Sequence, residues 1–121
     1  MGTPNYRSVT ADGADILAGY VCDASGALIN DKTTLGWLVA VNDIPDGELG
    51  DGYAPGAEDV LAVYTGTAPV RGDKMTMSST AGKLEVDATP SAGEILMAIC
   101  TQDGVGGICR VEFTNQKLGV A

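Results

Sequence analysis

The segment that most constrains the fold is residues 72–87, because its polar and apolar side chains alternate on both sides of a short turn. Two methionines alternate with polar residues before the turn at residues 79–82, and a leucine and a valine alternate with charged residues after it. An alternation of period two places one face of each strand on a core and the other face in water. The segment therefore predicts an antiparallel β-hairpin.

The register of this hairpin follows from matching its two apolar faces. Met77 then lies opposite Leu84 and Met75 opposite Val86, and all four side chains are expected in the core. The connecting loop ends at Gly82, which is free to adopt a positive φ because it has no Cβ. No nucleophile, base or ligand cluster lies within the hairpin, so we interpret it as scaffold.

The rest of the chain predicts a single all-β domain. With 121 residues, 17 glycines and 5 prolines, it has the length of one domain and many turns, and no long stretch with helical periodicity. We expect about eight short strands in a small, compact β-barrel-like or sandwich domain. Residues 15–121 form this domain, residues 1–14 form an extended N-terminal arm, and Trp37 and Phe113 join the core. The further predicted strands are 16–22, 27–29, 34–41, 60–65, 95–101 and 108–114.

The net charge of the chain disfavours one class of function, and the distribution of charge distinguishes one acidic segment. The net charge is −9, which disfavours binding to nucleic acid through phosphate neutralisation. Residues 42–59 form a long predicted connection with six acidic residues and no basic one. A connection of this length is often functional or mobile. We interpret it as a solvated acidic loop, with an electrostatic docking or repulsion surface as the alternative.

Catalytic and metal-binding groups are sparse. Histidine is absent, which removes the commonest general base and nitrogen ligand. Asp46, Glu48 and Asp51 alternate with glycines, but their spacing lacks the terminal bidentate Glu of the helical calcium loop. The sequence therefore predicts no catalytic residue, no metal site and no cofactor. A small hydrolase acting through paired carboxylates is the least favoured alternative, and Arg71-Gly72-Asp73 is interpreted as the entry to a strand rather than an adhesion motif.

The three cysteines, Cys22, Cys100 and Cys109, each lie in an apolar segment and are expected as small buried hydrophobic residues. Whether Cys100 and Cys109 form a disulfide stays open, because they flank a probable hairpin. Residues 1–10 contain no apolar region typical of a signal peptide, and no apolar run is long enough to span a membrane.

Residues 60–114 resemble the small head decoration proteins, or capsid cement proteins, of tailed phages. The resemblance is carried by Gly72-Asp73-Lys74-Met75 at a strand start and Gly82-Lys83-Leu84 at the hairpin return. It continues in the blocks 93–99, which reads Gly-Glu-Ile-Leu-Met-Ala-Ile, and 110–113, which reads Arg-Val-Glu-Phe. These motifs are structural rather than catalytic.

The resemblance implies a non-enzymatic homotrimer on the outside of a mature viral head, made in the host cytoplasm. Its partner would be the major capsid protein, and it would bridge neighbouring capsid subunits without contacting nucleic acid or membrane. Within the arm, the residues expected to contact the capsid are Thr3, Pro4, Asn5, Tyr6 and Arg7. The alternative function is a β-module that binds carbohydrate or calcium through the acidic loop at residues 42–59.

Overall fold

The fold is an all-β sandwich of two antiparallel sheets. A computed structural model describes residues 5–119, and these contain nine strands and no helix, so none that could cross a membrane. The strands are β1 Tyr6–Thr10, β2 Val21–Cys22, β3 Leu38–Ala40, β4 Leu49–Tyr53, β5 Val60–Val63, β6 Lys74–Met77, β7 Leu84–Val86, β8 Ile95–Val105 and β9 Ile108–Lys117. The four-stranded sheet has the order β1-β4-β3-β2, and the five-stranded sheet has the order β5-β9-β8-β6-β7.

The hairpin of β6 and β7 has the register that its alternation predicts. Met75 pairs with Val86 and Met77 with Leu84, and Gly82 has a φ of +83°. Met75, Met77 and Leu84 are fully buried, whereas Val86 is only half-buried because β7 is an edge strand.

The hairpin face that was expected in water is partly buried, which corrects the prediction. Thr76 is 0% exposed and donates a hydrogen bond to Asp87 Oδ2 at 3.3 Å. The same oxygen accepts a hydrogen bond from Lys32 Nζ at 2.8 Å. A charged residue from another part of the chain thus closes this face, and no local pattern could have indicated it.

The main core lies between the two sheets. Phe113 on β9 is fully buried there, together with the methionines of β6 and β8 and residues from the inner face of the four-stranded sheet. In β8 a register shift between Leu96 and Ala98 breaks the alternation, so that adjacent Met97 and Ala98 both belong to this core. Such a bulge bends the strand and increases its twist.

A second core covers the opposite face of the four-stranded sheet. Ile16 and Ile44 form an isolated β-bridge across this face and are both buried. Trp37 packs against this second core and is half-buried, so it borders the core rather than filling it. The small sheet is therefore covered on both faces, one by the large sheet and one by its own loops.

Several element boundaries differ from the sequence-based prediction. Residues 16–22 and 34–41 are predicted as full strands, but only residues 21–22 and 38–40 form strands, β2 and β3. Conversely, residues 6–10 of the predicted arm form β1, and residues 49–53 of the predicted acidic loop form β4. These two segments pair with each other over five residues, so the arm and the loop together build half of the small sheet.

Candidate functional site: the surface of the N-terminal strand

The described part of the predicted capsid-contact segment lies along the edge of the four-stranded sheet. Asn5 is exposed, and its carbonyl accepts a hydrogen bond from the N–H of Ala54 at 2.9 Å. Tyr6 and Arg7 follow in β1, opposite Tyr53 and Gly52 of β4. Thr3 and Pro4 lie outside the described residues. Asn5, Tyr6 and Arg7 are thus held on the chain's own sheet instead of extending away from it.

Tyr6 is the exposed aromatic residue of this edge. Its side chain is 54% exposed, and its ring lies 5.2 Å from the ring of Tyr53 with an interplanar angle of 30°. Desolvation beside its neighbour, together with the nearby Tyr53 phenol, raises the pKa of Tyr6, so it stays a neutral hydrogen-bonding group near pH 7. An aromatic pair of this kind offers apolar area with a polar tip, which is typical of interaction surfaces.

Arg7 is half-buried because it packs on the single tryptophan. Its guanidinium carbon lies 4.0 Å from the centroid of the Trp37 ring, and its Nη1 donates to the Trp37 carbonyl at 3.3 Å. In return, the Trp37 indole N–H donates to the Ser8 carbonyl at 3.0 Å. These contacts fix the loop before β3 on the outside of β1, so Arg7 contributes to the structure as well as to the surface.

A groove of about 390 Å³ opens beside Tyr6, on the surface of the four-stranded sheet. Its lining residues are Tyr6, Val41, Asn42, Asp43, Ile44, Gly50 and Asp51. We call it the β1–β4 groove. Leu49, which precedes the groove in β4, is 73% exposed, and Val41 on its wall is 36% exposed. The groove thus combines apolar walls with carboxylates.

The acidic residues of the 42–59 segment are largely occupied by the protein itself. Asp43 accepts the N–H of Ala18, Asp46 accepts the N–H of Gly13, and Asp51 accepts the Ser8 hydroxyl, all within 2.9 Å. Within residues 5–119, no three His, Cys, Asp or Glu side chains come together to form a potential metal site. These carboxylates order loops, and nothing in their arrangement favours the calcium alternative.

Within residues 5–119 the three cysteines are buried and free, so Cys100 and Cys109 do not form a disulfide. Burial raises the pKa of Cys22 and of Cys109 to about 12, and burial also raises that of Cys100. Because the thiolate is the nucleophile, these groups are unsuited to nucleophilic chemistry at neutral pH.

A second exposed apolar surface was not recognised from the sequence. Val105, at the end of β8, is 79% exposed, and Ile108 and Leu61 beside it are 46% and 38% exposed. For this region the sequence indicates only a probable hairpin between Cys100 and Cys109. The sequence signal for this surface is a valine between Gly104 and Gly106 at a hairpin tip. A side chain at such a tip lies in water, and an apolar side chain gains nothing from that exposure.

Comparison with known proteins gives a structural relative but no family. No family model matches the chain, and no curated protein matches it. Among solved structures, the crystal structure of the N base of the head fibre gp8.5 from bacteriophage phi29 is similar, with a TM-score of 0.65. The match covers 98% of this chain and 100% of that chain at 15% sequence identity.

This likeness shows that the chain shares its fold with the N base of that head fibre. It confirms the all-β class over nearly the whole chain, including the N-terminal half that the sequence resemblance did not cover.

Proposed function

We propose that the chain is a non-enzymatic structural protein of a phage head, which binds the outside of the capsid as a homotrimer and bridges neighbouring capsid subunits. The observation that carries this proposal is the shared fold with a phage head fibre base over 98% of the chain. The fold alone does not define a function, so the surface must also suit the role.

The described surface suits a protein that bridges neighbouring capsid subunits. Five of its exposed large hydrophobic side chains sit on paired strands, and rigid elements lose little entropy on binding; these are Tyr6, Leu49, Leu61, Val105 and Ile108. A trimer presents each contact three times. After the first subunit docks, the others bind at high effective concentration, so weak single contacts add up to durable attachment.

Charge is consistent with an exterior position. The net charge of −9 disfavours contact with packaged DNA and keeps an exposed protein soluble. The partner is therefore the protein shell, and we assign the contact to Thr3, Pro4, Asn5, Tyr6 and Arg7. In this segment Tyr6 provides the exposed aromatic anchor, and Arg7 provides one of the two cations of residues 1–59.

The test is binding to shells assembled from the major capsid protein of the virus that encodes the chain. Sedimentation should recover the chain with the shells at a fixed ratio, and bound shells should open at a higher temperature in calorimetry. Recovery of the chain in the supernatant at micromolar concentration, with intact shells, would contradict the function.

The contact residues are tested by two variants and one control. Tyr6→Ala should bind shells at least about fivefold more weakly, because aromatic anchors often contribute more than about 1 kcal/mol, and a chain lacking residues 2–4 should also bind more weakly because it loses Thr3 and Pro4. Leu35→Ala is the matched control, since Leu35 is exposed to a similar extent (52%) and lies outside this segment. Equal binding by all three folded variants would refute the assignment while leaving the function intact.

A further inference from the structure

Leu49 and Val105 are the two most exposed large hydrophobic side chains of residues 5–119, at 73% and 79%. They lie in different sheets, Leu49 on β4 beside the β1–β4 groove and Val105 at the tip of the β8–β9 hairpin. A contiguous exposed apolar patch indicates a contact surface, and Val105 forms such a patch with Ile108 and Leu61.

The hairpin tip is rigid. Its turn has only the two glycines at 106–107, with φ values of +62° and +86°, which is the backbone of a tight hairpin turn. The N–H of Gly104 donates to the Pro69 carbonyl at 2.8 Å, which fixes the tip against a neighbouring loop. We call Val105, with Ile108 and Leu61 beside it, the knob. It is held in place before any partner arrives.

Two arginines flank the knob. Val105 borders one surface depression with Arg71 and another with Arg110, and Asp103, which accepts a hydrogen bond from the backbone N–H of Arg71, lines both. Within residues 5–119, the ion pairs all involve Lys32, so neither guanidinium lies within 4.0 Å of a carboxylate. Each donates one hydrogen bond to a backbone carbonyl and keeps further N–H groups for a partner. Arginine beside exposed apolar residues is typical of binding hot spots.

The groove carries the opposite charge. Asp43 and Asp51 line it, and within the described part of the chain neither forms an ion pair. The two halves of the chain also differ in net charge, and the half that contributes most of the groove is the more acidic one. Residues 1–59 carry ten acidic and two basic side chains, a net charge of −8, whereas residues 60–121 carry six acidic and five basic ones, a net charge of −1.

We propose that the knob of one copy docks into the β1–β4 groove of a second copy. Val105 would enter between the apolar walls, and Arg71 and Arg110 would approach Asp43 and Asp51. Placing the nearly neutral half against the acidic half avoids the repulsion that two acidic surfaces would meet. A contact between different surfaces is head-to-tail and closes into a ring if its rotation permits. The inference that the ring contains three copies rests on the proposed function, whereas the contact between two copies does not.

Self-association of the purified chain tests the contact. Analytical ultracentrifugation over a concentration series should show an oligomer that dissociates at least about tenfold more readily in high salt, because the arginine–carboxylate contacts are screened. Val105→Asp on the knob and Val41→Lys on the groove should each give monomers. Leu35→Asp, on neither surface, should associate like the parent chain. A parent chain that is monomeric at high concentration would overturn the proposal.

Mixing the two variants distinguishes a head-to-tail contact from a symmetric one. The Val105→Asp chain keeps its groove and the Val41→Lys chain keeps its knob, so an equimolar mixture should form a dimer and grow no further. If the contact were knob to knob, Val41→Lys alone would associate normally, and if it were groove to groove, Val105→Asp alone would. Either result would refute the proposal. Shell binding is scored with the Val105→Asp chain, because Val105 is on the other sheet from residues 5–7, whereas Val41 shares the lining of the groove with Tyr6.

Discussion

Replacing Gly82 by alanine should destabilise the protein more than the same change at Gly72, although both glycines have positive φ. Their φ values are +83° and +94°, so each alanine pays the backbone cost of a left-handed conformation, about 1–2 kcal/mol. A Cβ on Gly72 would have no atom within 4 Å, whereas a Cβ on Gly82 would lie 2.4 Å from Cδ2 of Tyr20 and 3.0 Å from Cδ2 of Leu28.

The additional cost at Gly82 is a packing cost. Forcing an extra carbon into a packed site costs typically about 1–3 kcal/mol. The hairpin loop cannot move away easily, because Gly82 donates to the Ile29 carbonyl at 2.8 Å and accepts from the N–H of Val21 at 3.0 Å. We therefore expect a loss of about 2–5 kcal/mol for Gly82→Ala against about 1–2 kcal/mol for Gly72→Ala.

Urea unfolding measures both losses. With an m-value of about 1–3 kcal/mol/M, the two midpoints should differ by roughly 1 M. Gly82→Asn separates the two contributions, because asparagine tolerates positive φ but brings a larger side chain. The reasoning would be refuted if Gly82→Ala and Gly72→Ala unfolded at the same midpoint, or if Gly82→Asn were as stable as the parent chain.

Three further predictions follow from individual contacts. The hydrogen bond from Lys32 lowers the pKa of Asp87, so Asp87→Asn should reduce the free energy of unfolding by about 1 kcal/mol at pH 7. This difference from the parent chain should disappear as the pH falls through the native pKa of Asp87. An equal loss at pH 2, measured by urea titration, would contradict the prediction. The three buried thiols should resist a thiol reagent at pH 8 until urea unfolds the chain, and rapid labelling of folded protein would refute their burial. Arg7→Ala should cost about 0.5–1 kcal/mol and change the fluorescence of Trp37, whereas an unchanged emission spectrum would contradict the stacking.

The sequence predicted elements whose own side chains alternate. The β6–β7 hairpin has the expected register, and in β9 the alternating apolar residues Cys109, Val111 and Phe113 are all buried. In these strands the hydrophobic pattern alone defines which face is inside, because a slip of one residue would turn every apolar side chain into water. The hydrophobic pattern was therefore enough to predict which side chains of these strands are buried.

The strands that frame the candidate site carry no such pattern. β4 contains Gly50 and Gly52, which are rare in strands and indicated a loop. A Cβ on Gly52 would lie 2.4 Å from the Val39 carbonyl oxygen, and a Cβ on Gly50 would lie 2.4 Å from the Ile44 side chain. The glycines are thus present because neighbouring elements approach closely, which is a tertiary requirement.

By itself, then, the sequence determined the β class, the core of the large sheet, the acidity of the first half and the scarcity of catalytic groups. Only the tertiary structure decided that the arm pairs with the acidic segment, that Lys32 closes the face of Thr76, and that Val105 stands on a rigid tip between two arginines. The physical reason is that periodicity reports which face of a strand is buried, whereas partners far apart in the chain decide which strands pair and which side chains remain exposed.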